Sequence, residues 1–180
     1  MEKTLFILSD VLQKPNGDFL QLKPERATPL SKGLDIKVVS DDVVKELSDG
    51  FKLLHTGIWT AANFLIDIEI RARSSTFKRG ILLHIGTIDA DYRDEVRLLA
   101  TTWRNPDSFA PFPRFAQMIL HPEPDTIIFF NTVNLGLQPH IFSSHDGYSQ
   151  RSEQISKLWR QFIEDKCSSK REGGFGSTGD

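Results

Sequence analysis

Three stretches of the chain hold side chains whose types and spacing could do chemistry. The first, Arg73-Ser74-Ser75-Thr76-Phe77-Lys78-Arg79-Gly80, offers a guanidinium and several hydroxyls at the end of a strand-like run. Phosphate oxygens suit such a set, because the planar guanidinium donates in a fork and hydroxyls can fill the remaining lone pairs. A strand-to-turn junction with serine caps accounts for the same residues. The second, Gly86-Thr87-Ile88-Asp89-Ala90-Asp91-Tyr92-Arg93-Asp94-Glu95, ends an apolar run in carboxylates and an aromatic ring. If extended, it puts Asp89 and Asp91 on one face. That pair could be a solvated turn, a metal pair, or a general base beside a structural partner. The third is the glycine-rich end from Ser168 to Asp180, with Lys170 and Arg171 ahead of Gly173-Gly174-Phe175-Gly176-Ser177-Thr178-Gly179. Flexible backbone N–H groups and hydroxyls can wrap phosphates, and Phe175 could stack on a base. It is not a Walker loop, since no lysine precedes the hydroxyl residues and no helix can follow; a simple mobile tail is the other reading.

These stretches need a scaffold, and the scaffold reads as strands. Short β-like runs occur at Thr4 to Leu8, Phe19 to Leu22, Leu34 to Val39, Phe51 to Leu54, Phe64 to Arg71, Ile81 to Ile85, Glu95 to Ala100, Phe115 to Leu120 and Thr126 to Asn131. Phe64, Ile66, Ile68 and Ile70 alternate with polar residues, the period-2 pattern of a half-buried strand. Pro15-Asn16-Gly17-Asp18 supplies a tight turn. Many short strands with such turns predict an all-β sandwich, jelly roll or barrel. One helix is predicted over about 151–166, from Ile155, Leu158, Trp159, Phe162 and Ile163 at helical spacing, with Ser152 as N-cap. The stretch from Thr132 to Gln150 reads as loop.

Composition narrows the function. A 180-residue chain that is 39% hydrophobic can bury one sizeable core, and a net charge of -2 gives no general reason to bind nucleic acid or an acidic membrane. The start lacks the features of a secretory signal, no apolar run is long enough to span a bilayer, and a cytoplasmic protein is expected. Cys167 is the single cysteine, and His55, His84, His121, His140 and His145 show neither HxH nor HxxxH spacing, so all five read as incidental.

Taken in order, the segments resemble the five motifs of the trimeric dUTPases. Gly33-Leu34-Asp35-Ile36 is similar to the first motif, Arg73-Ser74-Ser75 to the second, Gly86 through Arg93 to the third, Arg114-Phe115-Ala116-Gln117-Met118-Ile119 to the fourth, and Gly173 through Gly179 to the fifth. The resemblance runs from Gly33 to Ile119 and resumes in the tail. It implies a jelly-roll-like β domain over 1–167, carrying an unusual segment 132–166, with 168–180 as a flexible lid. The implied assembly is a homotrimer with three active sites, each built from all three chains, in the cytoplasm or, for a viral protein, that of the host.

The activity implied is hydrolysis of dUTP to dUMP and pyrophosphate with Mg²⁺. On that resemblance Asp89 holds the attacking water, and Asp35 touches the ion through its waters. Arg73, Ser74, Ser75, Gln117, Lys170, Arg171, Gly176, Ser177 and Thr178 hold phosphate oxygens. A hairpin leading into Gly86, with Thr87 and Ile88, reads uracil; Tyr92 lies beneath the deoxyribose; Phe175 covers the base. The chain departs from the family pattern in Lys170-Arg171 where Arg-Gly is usual, in Thr76-Phe77 for a small apolar pair, and in Asp94 for a glycine, a residue able to take a left-handed turn. Two other functions stay open. A dCTP deaminase shares the Arg-Ser-Ser segment but would carry a mid-strand glutamate that Glu95-Val96-Arg97-Leu98-Leu99-Ala100 lacks. A nucleotide-sensing interaction protein would use the helix at 151–166 to meet a partner.

Overall fold

A computed structural model describes residues 2–39, 43–46, 50–103, 114–122, 124–132, 140–141, 148–164 and 166–167. The strands are β1 (Thr4–Ser9), β2 (Val11–Gln13), β3 (Phe19–Gln21), β4 (Glu25–Arg26), β5 (Leu34–Lys37), β6 (Val43–Glu46), β7 (Lys52–Leu54), β8 (Ile58–Ala62), β9 (Asp67–Ala72), β10 (Ile81–Leu83), β11 (Gly86–Ile88), β12 (Leu98–Thr102), β13 (Arg114–His121), β14 (Ile127–Thr132) and β15 (His140–Ile141), followed by the helix α1 (Tyr148–Glu164). They form sheets ordered β11-β9-β13-β5-β4, β10-β12-β7-β6, β14-β1-β8 and β15-β2-β3. The first three share one apolar core, to which Leu5, Ile36, Leu54, Ile70, Leu98 and Met118 contribute. The protein is all-β and jelly-roll-like with one added helix, as expected. No helix among the described residues is long and apolar enough to cross a membrane.

The period-2 reading of Phe64 to Arg71 holds throughout in burial, with Ile66, Ile68 and Ile70 buried, Phe64 packed against the core and Leu65, Asp67 and Arg71 exposed, while the paired strand itself begins at Asp67. The turn at Pro15-Asn16-Gly17-Asp18 closes the β2–β3 hairpin with Gly17 at φ 88°, a conformation that costs glycine little. Strand β8 escaped the reading because all five of its residues are buried, so Ile58-Trp59-Thr60-Ala61-Ala62 has no alternation to detect. The loop expected between Thr132 and Gln150 contains β15, parallel to β2, and the first residues of α1.

The helix begins at Tyr148, three residues before the expected start, and Ser152 lies inside it rather than capping it. The Ser152 hydroxyl instead donates to Glu95 Oε2 at 2.6 Å. Of the predicted apolar stripe, Ile155, Trp159 and Ile163 are buried against Leu8, Trp59 and Ala61, whereas Phe162 is exposed beside a groove shared with Phe6, Phe129 and Phe130. The buried face is turned toward the serines: Ser156 Oγ accepts from Trp59 Nε1 at 2.8 Å. Asp10, fully buried, accepts from the Tyr148 hydroxyl at 2.7 Å and from Arg151 Nε and Nη2 at 2.6 and 2.7 Å. Burial and the Asp10 carboxylate push the Tyr148 phenol well above its ordinary range.

Glu95 is fully buried and carries the second polar anchor. Its Oε1 accepts the Thr56 and Gly57 amides at 2.9 and 2.7 Å, and its Oε2 meets His55 Nδ1 at 2.5 Å besides Ser152. The other His55 nitrogen lies 3.1 Å from Ser149 Oγ, so this histidine, expected to be incidental, links the sheet to the helix. Burial alone would raise the Glu95 pKa, but the hydrogen bonds from His55, Ser152 and Gly57 and the adjacent imidazole outweigh it and hold the carboxyl below its ordinary value.

A depressed carboxylate pKa makes the unfolded chain take up the proton first, so the stability from Glu95 is complete above its ordinary value of 4.5 and drains away as pH falls below it. Acid titration followed by the fluorescence of Trp59 and Trp159 should show α1 loosening in that window, and Glu95→Gln should flatten this step.

Candidate active site

The five-stranded sheet carries Asp35, Gln117 and Gly86 to Ile88 of the predicted site, with Arg73 and Asp89 just beyond the ends of β9 and β11. Strand β13 runs antiparallel between β5 and β9, with Gln117 opposite Asp35 on one side and opposite Arg71 on the other. Directly opposed residues share a face, and residue 73 follows 71 on it, so Asp35, Gln117 and Arg73 converge while Ile36, Met118 and Ile70 turn to the core. Arg73 Nε lies 2.9 Å from Asp35 Oδ1, its Nη1 donates to the Arg114 carbonyl at 2.9 Å, and Arg114 Nη1 stands 3.9 Å from Asp35 Oδ2. Asp35 is buried, and its Oδ2 accepts no hydrogen bond among the described residues. Gln117 donates from Nε2 to the Ala72 carbonyl at 3.1 Å and crosses directly over Gly33, where an added Cβ would stand 2.0 Å from Gln117 Oε1. A side chain at this position could be admitted only by moving the Gln117 amide.

Beyond Arg73 the chain turns, with the Thr76 amide donating to the Arg73 carbonyl at 3.0 Å, and leaves Ser74 and Ser75 exposed. Thr76 is fully buried, whereas Phe77 is exposed against Trp103, ring centroids 4.9 Å apart.

On the far side of β9 lies β11, with Gly86 opposite Ile70 and Ile88 opposite Ile68. It is an edge strand, its outer side unpaired by any strand among the described residues. The expected hairpin into Gly86 is not formed: β10 pairs with β12 in another sheet, and the chain crosses between sheets at His84-Ile85. Asp89 follows β11 and is exposed. A turn tied by the Tyr92 amide on the Asp89 carbonyl at 3.1 Å comes next, braced by buried Arg93, whose Nη1 donates to the carbonyls of Ala90 and Tyr92 at 2.8 and 3.0 Å. Tyr92 is half-buried, its hydroxyl donating to the Glu95 carbonyl at 2.9 Å, and burial raises its pKa. Asp94 takes no left-handed turn, as Asp125 is the only described non-glycine residue with positive φ; its carboxylate meets Arg160 of α1.

Asp89 extends β11 toward the Asp67 end of β9, and Arg73 lies just past the Ala72 end. Six residues of strand, at ~3.3 Å each, put them about 20 Å apart. Within one chain the predicted residues thus fall into two separated groups, the Asp35, Arg73 and Gln117 cluster and the Gly86-to-Asp89 edge. Lys170, Arg171, Phe175, Gly176, Ser177 and Thr178 lie outside the described residues. The connection from Glu95 and Asp94 to α1 had only a faint sequence signal, Ser152 and Ser156 among the apolar positions of the helix.

A family model for dUTPase matches residues 22–138. The chain belongs to the dUTPase family. Among relatives of this dUTPase-family chain, the deoxyuridine 5'-triphosphate nucleotidohydrolase of Rickettsia prowazekii is 36% identical over 115 residues, covering 62% of the chain and 78% of the relative. The Gag-Pro polyprotein of sheep pulmonary adenomatosis virus is 33% identical over 123 residues, 68% of the chain but 14% of the polyprotein. The crystal structure of dUTPase from Streptococcus mutans superposes at TM-score 0.44 and 24% identity, over 56% of the chain and 85% of that structure. The family match ends at residue 138, so α1 lies outside it.

Gly33→Ala should force Gln117 off its present path. Overpacking of this kind costs about 1–3 kcal/mol, to be read as a lowered melting temperature accompanied by weakened binding of nucleoside triphosphate in calorimetry.

Proposed function

We propose that the chain is a dUTP diphosphatase, hydrolysing dUTP to dUMP and pyrophosphate as a homotrimer whose active sites each combine parts of different subunits. The separation of the two groups on opposite sides and ends of β9 carries this reading. A triphosphate lying on Arg73 cannot also bring its α-phosphorus to Asp89 of the same chain across about 20 Å of strand, whereas a neighbouring chain's edge could meet it. On this reading residues 1–167 are the catalytic domain, and 168–180 close over the site from another subunit, with Phe175 on the base and Lys170, Arg171, Gly176, Ser177 and Thr178 on the phosphates.

Each group then has a physical task. The unpaired outer edge of β11 offers backbone donors and acceptors at Gly86, Thr87 and Ile88 to a uracil, and polar mismatch in a closed pocket rejects cytosine far more strongly than the 1–3 kcal/mol or so that size yields per methylene. Tyr92, fixed by its hydrogen bond to Glu95, supplies a ring beneath the deoxyribose. Arg73, Ser74, Ser75 and Gln117 hold phosphate oxygens. Asp89, exposed at the end of β11, holds the attacking water in line with the α-phosphorus, so that positioning and charge neutralisation carry most of the rate.

Among the described residues no group of three His, Cys, Asp or Glu side chains could hold a metal by itself. The buried, donor-free Oδ2 of Asp35 fits a lesser task, accepting a hydrogen bond from a water of an ion that the triphosphate itself binds. Mg²⁺ held in that way would neutralise phosphate charge. Deamination is disfavoured because β12 carries no glutamate and the carboxylate of nearby Glu95 is already occupied by four donors. The apolar stripe that suggested a protein partner at 151–166 is largely buried against the chain's own sheet.

Asp89→Asn should nearly abolish pyrophosphate release while dUTP still binds; a wild-type rate would remove Asp89 from this place. Deleting everything after Lys170 should likewise cripple turnover with the trimer intact by sizing chromatography. A panel of deoxynucleoside triphosphates with Mg²⁺ should release pyrophosphate from dUTP and ammonia from none.

A further inference from the structure

The segment that carries Asp89 is held by an element that the family match does not include. From Asp89 the chain reaches Glu95 through a short connection that is braced internally by Arg93 and by the Tyr92 hydroxyl on the Glu95 carbonyl. Its inner side follows β8, through the Ala62 amide on the Ala90 carbonyl at 3.0 Å, a bridge between Trp59 and Glu95, and the Val96 amide on the Ile58 carbonyl at 2.7 Å. Its outer side meets α1 at two points one helical face apart: Ser152 on the Glu95 carboxylate, and Arg160 on the Asp94 carboxylate. Eight residues of helix, ~12 Å of rise, separate those two contacts, so the helix lies along the end of the segment as a splint. Trp159 and Ile155, between them, seal it onto Trp59.

We propose that α1 is a buttress for the Asp89 segment, in which Ser152 and Arg160 are positioning residues that act through Glu95 and Asp94. The idea rests on the reading that Asp89 holds the attacking water, and it adds that the accuracy of that placement is set by a helix 63 to 71 residues further along the chain. A rigid internally braced segment transmits a shift at Asp94 or Glu95 back to Asp89. Phosphate binding at Arg73 and Gln117, on the other side of β9, is spared such a shift. The expected signature is therefore a loss of turnover that exceeds the loss of affinity, since Tyr92 moves with the segment while Arg73 and Gln117 do not.

The test uses the full chain with dUTP and Mg²⁺, comparing wild type with Arg160→Ala, Ser152→Ala and Arg160→Lys. A displacement of order 1 Å at a reacting group can cost up to about a hundredfold, and the alanine variants should lose about tenfold or more in kcat. Their affinity for the non-hydrolysable α,β-imido analogue of dUTP should fall by much less than kcat, by about threefold at most, and Arg160→Lys should recover part of the rate by keeping the charge on Asp94. Amide hydrogen exchange supplies a readout independent of catalysis: residues 89–95 should exchange faster in the alanine variants, with β9 as protected as before. Unchanged kcat, or kcat and affinity falling together with the melting temperature, would overturn the buttress. Wild type that exchanges as expected but leaves dUTP intact would instead sink the reading of Asp89, leaving α1 a splint for a segment with another task.

Discussion

A buried carboxylate sits where three parts of the molecule meet. Glu95 ends the segment begun at Asp89, lies against the turn between β7 and β8, and receives a hydroxyl from α1. An ionised carboxylate withdrawn from water is tolerable only when its lone pairs are filled, and here two amides, an imidazole and a hydroxyl fill them. Removing one donor of such a buried set costs about 1.5–3 kcal/mol, the range for a hydrogen bond to a charged group. The geometry of the three parts is consequently fixed jointly, and none can shift without exposing or stranding the charge. Asp10 repeats the device at the start of α1, with Tyr148 and Arg151.

Strand β9 sets the other constraint. It separates the cluster of Asp35, Arg73 and Gln117 from the edge strand that leads into Asp89, while its own apolar face holds both to the core through Ile68 and Ile70. A twisted sheet keeps such positions in fixed register, because a slip by one residue would invert every side chain. The same rigidity that keeps Arg73 on Asp35 thus keeps Arg73 away from Asp89 within one chain.

The sequence was most legible where physics imposes a period or a rare residue pattern. Alternation exposed β9, the Asn-Gly turn exposed the β2–β3 hairpin, and the spacing of Ile155, Trp159 and Ile163 exposed α1. Strand β8 was hidden because it is buried throughout, and β11 because its three residues open with Gly86 and run into Asp89, which together look like a loop. Ser152 looked like a cap since serine is a strong N-cap residue, but a tertiary acceptor, Glu95, claimed its hydroxyl inside the helix. His55 and Asp10 had no local signal at all: their partners lie 40 and more than 130 residues away in sequence. Motif order made the cluster of Asp35, Arg73 and Gln117 legible, while its distance from Asp89 could be learned only from strand register.

Strand β1 is paired on both edges, to β8 and, in parallel, to β14, so that Thr4 stands beside Ile127. The opening strand of the chain is thus internal to its sheet, and its second neighbour is among the later strands to be made. During synthesis one row of its backbone donors and acceptors must wait through more than a hundred residues of translation. Loop closure over that span comes before any reward from the contact, which slows completion of this sheet and leaves a sticky edge meanwhile.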